Sequence, residues 1–231
     1  MKKGKVTICI GTVGSPTFEK CKNTIYKHFR GHPLVDKIVI IKDRSPQSAW
    51  LNEMRRQCSD TEWCLQVDED MYLKPNALDK LIELYELKQS RGIKILNASS
   101  LLYDLFLERN IGSLKLWNSE ALQRLEFKDI LGGDRDFAKR AKSLGYKNVE
   151  ISLVLGEHDS APNPAIAFSK YYEYVQKIRK FSGEEKAKVF VKFLENKYKK
   201  DKKNYINKKA YDGGKHGLNN NIKNVSKRPK L

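Results

Sequence analysis

The chain has no apolar run approaching the roughly 20 residues that a membrane-spanning helix needs, so an integral membrane protein is not expected. It has few cysteines (Cys9, Cys21, Cys58 and Cys64), and no two of them form a Cys-x-x-Cys pair. A disulfide scaffold or a zinc ribbon would need a closer and more regular pattern. The expectation is therefore reduced, mostly buried thiols in a cytoplasmic protein. His28 and His32 taken with Cys58 and Cys64 fit no finger or ribbon spacing either. The opening Met1-Lys2-Lys3-Gly4-Lys5 runs into an apolar stretch that already ends at Gly11, too short for a signal peptide. No internal repeat is present.

Basic residues, by contrast, are abundant and unevenly placed. The 231 residues carry 45 Lys and Arg against 28 Asp and Glu, a net charge of +17. Residues 170–231 hold 19 basic and 6 acidic side chains, a net of +13, which leaves 26 and 22, or +4, for residues 1–169. The body thus reads as a nearly balanced globular domain, in a chain with 40% hydrophobic residues overall and enough length for a sizeable core. The C-terminal part reads differently. Lys-Lys-Asp-Lys-Lys-Asn, Gly213-Gly214 and Asn219-Asn220-Asn221 offer little to bury, so residues 201–231 are expected to form a disordered basic tail. Such a tail is drawn to anionic lipid headgroups, which would place the protein peripherally at a membrane surface. Nucleic acid is not the expected partner, because no aromatic stacking pattern or basic recognition helix accompanies the charge.

Through the first hundred residues, short apolar runs alternate with longer amphipathic segments. Val6-Thr7-Ile8-Cys9-Ile10, Lys37-Ile38-Val39-Ile40-Ile41, Trp63-Cys64-Leu65-Gln66-Val67 and Ile93-Lys94-Ile95-Leu96 predict strands. Ser15-Pro16, Ser45-Pro46 and Pro75 mark helix starts, and Leu78, Leu81, Ile82 and Tyr85 fit the i, i+3, i+4, i+7 template. The alternation predicts an α/β fold: a mostly parallel, Rossmann-like sheet flanked by helices and built by right-handed crossovers. The pattern is less regular after Leu101, with further strands at 114–117 and 149–155. A short helix carries Phe137, Ala138, Ala141 and Leu144. A helix after Asn163-Pro164 and another behind a Ser182-x-x-Glu185 capping box complete the elements. The predicted organisation is a catalytic domain over 1–165, amphipathic helices packing on it over 166–200, and the tail.

In an open parallel sheet, ligands bind beyond the carboxyl ends of the strands. Strand one is followed by the small-residue loop Gly11-Thr12-Val13-Gly14-Ser15, which suits an anionic group at the helix start. Strand two ends at Asp43-Arg44-Ser45, and strand three at Asp68-Glu69-Asp70. If extended geometry persists, Asp68 and Asp70 point to one side and Glu69 away. Two close carboxylates repel unless a cation lies between them, and hard oxygen donors favour Mg²⁺ or Mn²⁺ beside substrate phosphates.

Taken together, these strand ends resemble nucleotide-sugar glycosyltransferases of the GT-A fold, close to the family 2 type. Gly133-Asp134-Arg135-Asp136-Phe137, the later Gly145-Tyr146 turn, and Gly156-Glu157-His158-Asp159 after the last strand are similar to later features of that family. The resemblance spans about residues 5 to 160. It implies that Thr12, Val13 and Gly14, with Asp43 and Arg44, hold the nucleotide, joined by Asp68 and Glu69. It also implies that Asp70, His158 and Asp68 hold Mn²⁺ or Mg²⁺, and that Asp134 is the catalytic base. Trp117 and Asp136 fall on the acceptor side. Gly133 stands where the family carries an acidic residue, so the base is Asp134 alone or Asp136. The implied activity is transfer of a sugar from a nucleotide-diphosphate donor to a hydroxyl of a glycan, lipid-linked or protein acceptor, with inversion. Two other classes use parts of the same features: a nucleotidyltransferase-like enzyme on the same carboxylates, or a non-enzymatic binder acting through the basic tail. The first loop lacks the Lys and the length of a triphosphate-cradling loop, which counts against the former.

Overall fold

The computed structural model describes residues 5–222. Two compact units divide the chain, one comprising the residues up to Asp129 with Gly133–Asp159, the other Ile130–Gly132 with the residues from Ser160. The first unit runs β1 (Val6–Thr12), α1 (Phe18–Phe29), β2 (Val35–Lys42), α2 (Gln47–Gln57), β3 (Trp63–Asp68), β4 (Met71–Leu73), α3 (Ala77–Gln89), β5 (Ile95–Asp104), β6 (Arg109–Asn118), α4 (Ser119–Gln123), α5 (Gly133–Ser143) and β7 (Lys147–His158).

These strands form one sheet in the order β2-β1-β3-β6-β5-β7-β4. The α1 and α2 crossovers make β2, β1 and β3 parallel, and β5 pairs parallel with β7. A tight turn joins β5 to β6, so β6 must run back antiparallel against both β5 and β3. The sheet is therefore mixed at its centre. Because β6 reverses direction between them, β3 and β5 point the same way, and the carboxyl ends of β1, β2, β3, β5 and β7 all reach one edge.

Alternation along β1 explains how both faces are covered. Val6, Ile8 and Ile10 pack with Leu65 and Val67 of β3 beneath Cys21, Ile25 and Phe29 of α1 and Leu78, Leu81 and Ile82 of α3. Cys9 and Cys64 face the other way, against Trp50 and Met54 of α2 and Phe137 of α5. A sheet buried on both faces needs near-continuous apolar strands, which is the pattern the sequence carries. At Gly11 a Cβ would meet the Trp50 ring at 2.9 Å, so α2 lies directly on the β1 backbone.

On that second face the cysteines depart from the expectation of reduced thiols, for Cys58 and Cys64 are joined as a disulfide. The end of α2 and the start of β3 bring their Cα atoms to 5.7 Å, well inside the bridging range. The Cys9 sulfur lies 3.7 Å from that of Cys58, and burial pushes its thiol pKa up to about 12. Although the three sulfurs are close together, the bridge leaves one protonated thiol there, which is not a metal donor set.

The second unit contains α6 (Pro164–Ser182), α7 (Glu184–Lys200) and α8 (Tyr205–Asn219). Asn163 caps α6 by accepting from the Ile166 amide at 2.9 Å. The expected capping box is not formed: Ser182 is the last residue of α6, Gly183 turns the chain at φ 93°, and Glu185 instead takes Lys188 at 2.7 Å. The larger correction is α8, which occupies residues expected to be disordered, and residues 223–231 lie outside those described. Its glycines make it possible. A Cβ on Gly213 would sit 2.2 Å from the Phe168 carbonyl oxygen, and one on Gly217 2.6 Å from that of Tyr172. The helix thus lies backbone to backbone on α6 through a stripe one turn apart. Gln176 of α6, buried, donates to the Gly217 carbonyl at 2.7 Å. Asn204 caps α8 through the Ile206 and Asn207 amides. None of the helices among the described residues is long and apolar enough to cross a membrane.

Forcing a side chain between two backbones costs about 1–3 kcal/mol. Gly217→Val is therefore expected to lower the stability of the protein by that amount, read from chemical denaturation. Lys215→Ala, two residues away on an exposed face, is expected to change it by less than about 0.5 kcal/mol.

Candidate functional site

At the shared strand edge, β1 and β3 are in register with Gly11 opposite Asp68, and β5 and β7 with Asp104 opposite His158. Short β4 pairs with β7 so that Met71 also faces His158. Two residues, Glu69 and Asp70, turn the chain from β3 to β4, and they lead in different directions.

Because β3 ends at Asp68, strand alternation does not carry through the triplet. Glu69 turns inward and is nearly fully buried. Its carboxylate accepts the Thr12 hydroxyl, the Ser15 amide at 2.9 Å and the Val13 amide at 3.2 Å. Thr12 in turn accepts the Gly14 amide at 3.0 Å. The amides that looked ready for an external anion are therefore held by an anion of the chain itself. This fixes Thr12, Val13 and Gly14 at the edge, with Val13 and Gly14 exposed beside the buried Thr12. Asp43 and Arg44 are exposed at the end of β2.

Asp70 points the other way. Its Oδ2 is 3.4 Å from Nε2 of His158, whose Nδ1 is 2.7 Å from Oδ2 of Asp104. Asp104 is fully buried, and its other oxygen accepts the Phe106 and Leu107 amides at 3.0 and 2.7 Å. A carboxylate–imidazole–carboxylate line thus crosses from the β3–β4 turn through β7 to β5. The backbone reinforces it, with Asp159 N donating to Asp70 O at 2.8 Å and Leu105 N to His158 O at 3.0 Å. Nearby, burial and then the charge of Asp159, which Tyr72 OH contacts at 3.3 Å, raise the Tyr72 pKa. Burial and then Asp70 push the Cys21 thiol up to about 12. Negative charge accumulates here.

The donors fit a divalent cation. Two ligand atoms on an octahedral ion, each at about 2.1 Å, stand about 3 Å apart when adjacent, and Nε2 and Oδ2 are separated by 3.4 Å. A carboxylate oxygen with an imidazole nitrogen is a donor pair that divalent metals accept, and a histidine braced through its other nitrogen is what metal sites commonly show.

The acceptor-side residues are distributed differently from the expectation. Asp134, in the first turn of α5, is half-exposed and paired with Lys115 of β6 at 3.0 Å. Asp136 is engaged by Arg140 one turn on, at 2.7 Å, an arrangement that stabilises the helix. Trp117 corrects its expected place: it is 1% exposed, packed edge-on against the stacked rings of Phe127 and Phe137, and donates its indole N–H to Gln66 at 3.0 Å. It is core. Asp104 and Lys115 were missed by the sequence reading. The signal for Asp104 was present, since it too is an acidic residue ending a strand.

Comparison with models of protein families and with curated proteins finds no match. Solved structures do match by fold. A mannosyltransferase from Pyrobaculum calidifontis, in complex with GDP-Man and Mn²⁺, matches with a TM-score of 0.55 at 16% identity. That match covers 77% of this chain and 64% of the mannosyltransferase, so the chain spans less than two thirds of that protein's length. S. aureus TarS (residues 1–349) matches with a TM-score of 0.52 at 12% identity, over 87% of this chain and 73% of its own. At these identities the likeness shows the fold: a mixed α/β, Rossmann-like GT-A architecture.

Removing the Glu69 carboxylate leaves the buried Thr12 hydroxyl without its acceptor, and a buried donor so orphaned costs about 1–3 kcal/mol. Glu69→Ala is expected to reduce stability by about that much in a denaturant titration. Faster hydrogen exchange at residues 12–15 should accompany it.

Proposed function

We propose that the chain is a metal-dependent glycosyltransferase that moves a sugar from a nucleotide-diphosphate donor to an acceptor hydroxyl, with inversion. The observation that carries this reading is the pairing of Asp70 with His158 at the carboxyl edge of a GT-A sheet, next to a loop already fixed by Glu69. The likeness to a mannosyltransferase bound to GDP-Man and Mn²⁺ supports it at the level of fold.

We take the roles from the resemblance and set them at this edge. Thr12, Val13 and Gly14, with Asp43 and Arg44, form the wall against which the nucleoside lies, and Asp68 at the end of β3 reaches the ribose side. Glu69 supports that wall from behind rather than touching the donor. Asp70 and His158 would hold Mn²⁺ or Mg²⁺, which when bound offsets the negative charge that grows on the departing diphosphate. Because Glu69 already consumes the first-loop amides, the phosphates have no backbone cradle there, which places the neutralising burden on that cation site. This also argues against a triphosphate-using enzyme. Asp134 takes the proton of the attacking hydroxyl. Lys115, 3.0 Å away, holds the carboxylate in place. One base on the far side of the sugar from the leaving group gives a single displacement and an inverted anomeric centre.

The acceptor is a glycan, a lipid-linked sugar or a protein. The +13 carried by residues 170–231 suits a lipid-linked acceptor at an anionic cytoplasmic leaflet, where juxtaposed basic residues add about 1 kcal/mol each.

A screen of nucleotide sugars by calorimetry and hydrolysis, with and without Mn²⁺, tests the reaction. One donor is expected to bind and turn over only with metal. Asp70→Ala should abolish that dependence, and Asp134→Asn should lower kcat by about 10²–10⁴ with donor affinity retained. A donor bound equally well without metal would remove the reading. Sedimentation with vesicles tests the membrane contact: binding to phosphatidylglycerol vesicles, absent with pure phosphatidylcholine and lost at high salt, is expected. Equal partitioning to both would rule it out.

A further inference from the structure

We infer that Asp104 is a positioning residue that fixes the tautomer of His158, so that the Nε2 lone pair faces Asp70 and the cation site. This rests on the metal-dependent reading of the Asp70–His158 pair and names a residue which that reading does not contain.

Asp104 is the terminal residue of β5, fully buried, and its carboxylate is held by directional hydrogen bonds. Oδ1 accepts two consecutive backbone amides, Phe106 at 3.0 Å and Leu107 at 2.7 Å. Those bonds lock the carboxylate plane and leave Oδ2 aimed at Nδ1 of His158, 2.7 Å away. An ionised carboxylate only accepts hydrogen bonds, so the ring must donate Nδ1–H to it. A neutral imidazole carries one N–H, and the other nitrogen is then a lone-pair donor. That nitrogen, Nε2, is the one 3.4 Å from Asp70 Oδ2. The strand register makes the arrangement rigid, because Asp104 and His158 are cross-strand neighbours on paired β5 and β7, and β4 clamps His158 from the far side through Met71.

A simple structural role for Asp104, capping the turn after β5, makes a different prediction, and one substitution separates the two. In Asp104→Asn the carboxamide oxygen still accepts from Phe106 and Leu107, so the turn keeps its hydrogen bonds. The carboxamide NH₂ now faces Nδ1 and donates to it, driving the proton onto Nε2, where it blocks ligation. Asp104→Glu lengthens the side chain while keeping an acceptor and serves as the conservative variant.

The test uses the full chain and two readouts. Long-range ¹H–¹⁵N NMR of the imidazoles reads the Nδ1 proton without metal: wild type is expected to show His158 carrying a proton at Nδ1, and Asp104→Asn to show Nδ1 bare. Titration with Mn²⁺ alone, followed by the loss of the free-ion EPR signal, is expected to show affinity lower by about 10–100-fold in Asp104→Asn. Asp104→Glu should recover part of it. The thermal midpoint of Asp104→Asn should stay near that of wild type. Wild-type His158 lacking a proton at Nδ1 would overturn the inference outright, and it requires no variant to fold. Unchanged Mn²⁺ affinity and tautomer in a folded Asp104→Asn would overturn it as well. Should wild type take up no Mn²⁺, the metal-dependent reading fails, whereas the NMR result still decides what Asp104 does.

Discussion

A carboxylate inside a protein has to find donors, and the chain meets this demand twice at one edge of its sheet. Glu69 meets it with the hydroxyl and amides of the loop after β1, and Asp104 with two amides and an imidazole. The first ties the end of β1 to the turn between β3 and β4. The second ties the end of β5 to the end of β7. Between these two anchors lies the Asp70–His158 pair, whose separation is set by neither residue alone. Without the anchors, the strand ends would be free loops, and a pair of groups meant to share one cation would have no fixed spacing.

The division of labour within Asp68-Glu69-Asp70 follows from where β3 stops. Continued alternation would have placed the two aspartates together and Glu69 outside. A two-residue turn instead sends Glu69 into the loop and Asp70 toward β7, and the acidic triplet serves two purposes with opposite requirements. Glu69 is saturated by internal donors. Asp70 stands close to another lone-pair donor, an arrangement that only a proton or a metal ion relieves. The neighbouring Tyr72 and Cys21, both held in their neutral forms by burial and by adjacent carboxylates, add no further charge to this edge.

Much of the first unit was legible because its strands are buried on both faces and its helices on one. Val6 to Ile10 and Trp63 to Val67 announce themselves through apolar density, and Leu78, Leu81 and Ile82 through spacing. The strand ends followed, and with them Thr12, Asp43, Asp68, Asp70 and His158. What escaped notice depended on partners distant in sequence. Asp104 lies at the end of a ten-residue strand whose second half, Ser100-Leu101-Leu102-Tyr103, lost its regular pattern, and its histidine is 54 residues away. Trp117 looked equally suited to a sugar or a core, and only its neighbours Phe127 and Phe137 decide. The Cys58–Cys64 bridge depends on α2 ending beside the start of β3, which spacing alone does not reveal. In the second unit, α8 was invisible because it packs through glycine: it contributes closeness of approach, and little apolar area for composition to register.

The brevity of the β3–β4 turn has an evolutionary corollary. Surface loops ordinarily absorb insertions and deletions, but here one residue more or fewer would rotate the acidic triplet by a place and hand each side chain its neighbour's task. The β3–β4 junction is consequently held to a fixed count, and Glu69 and Asp70 to their identities.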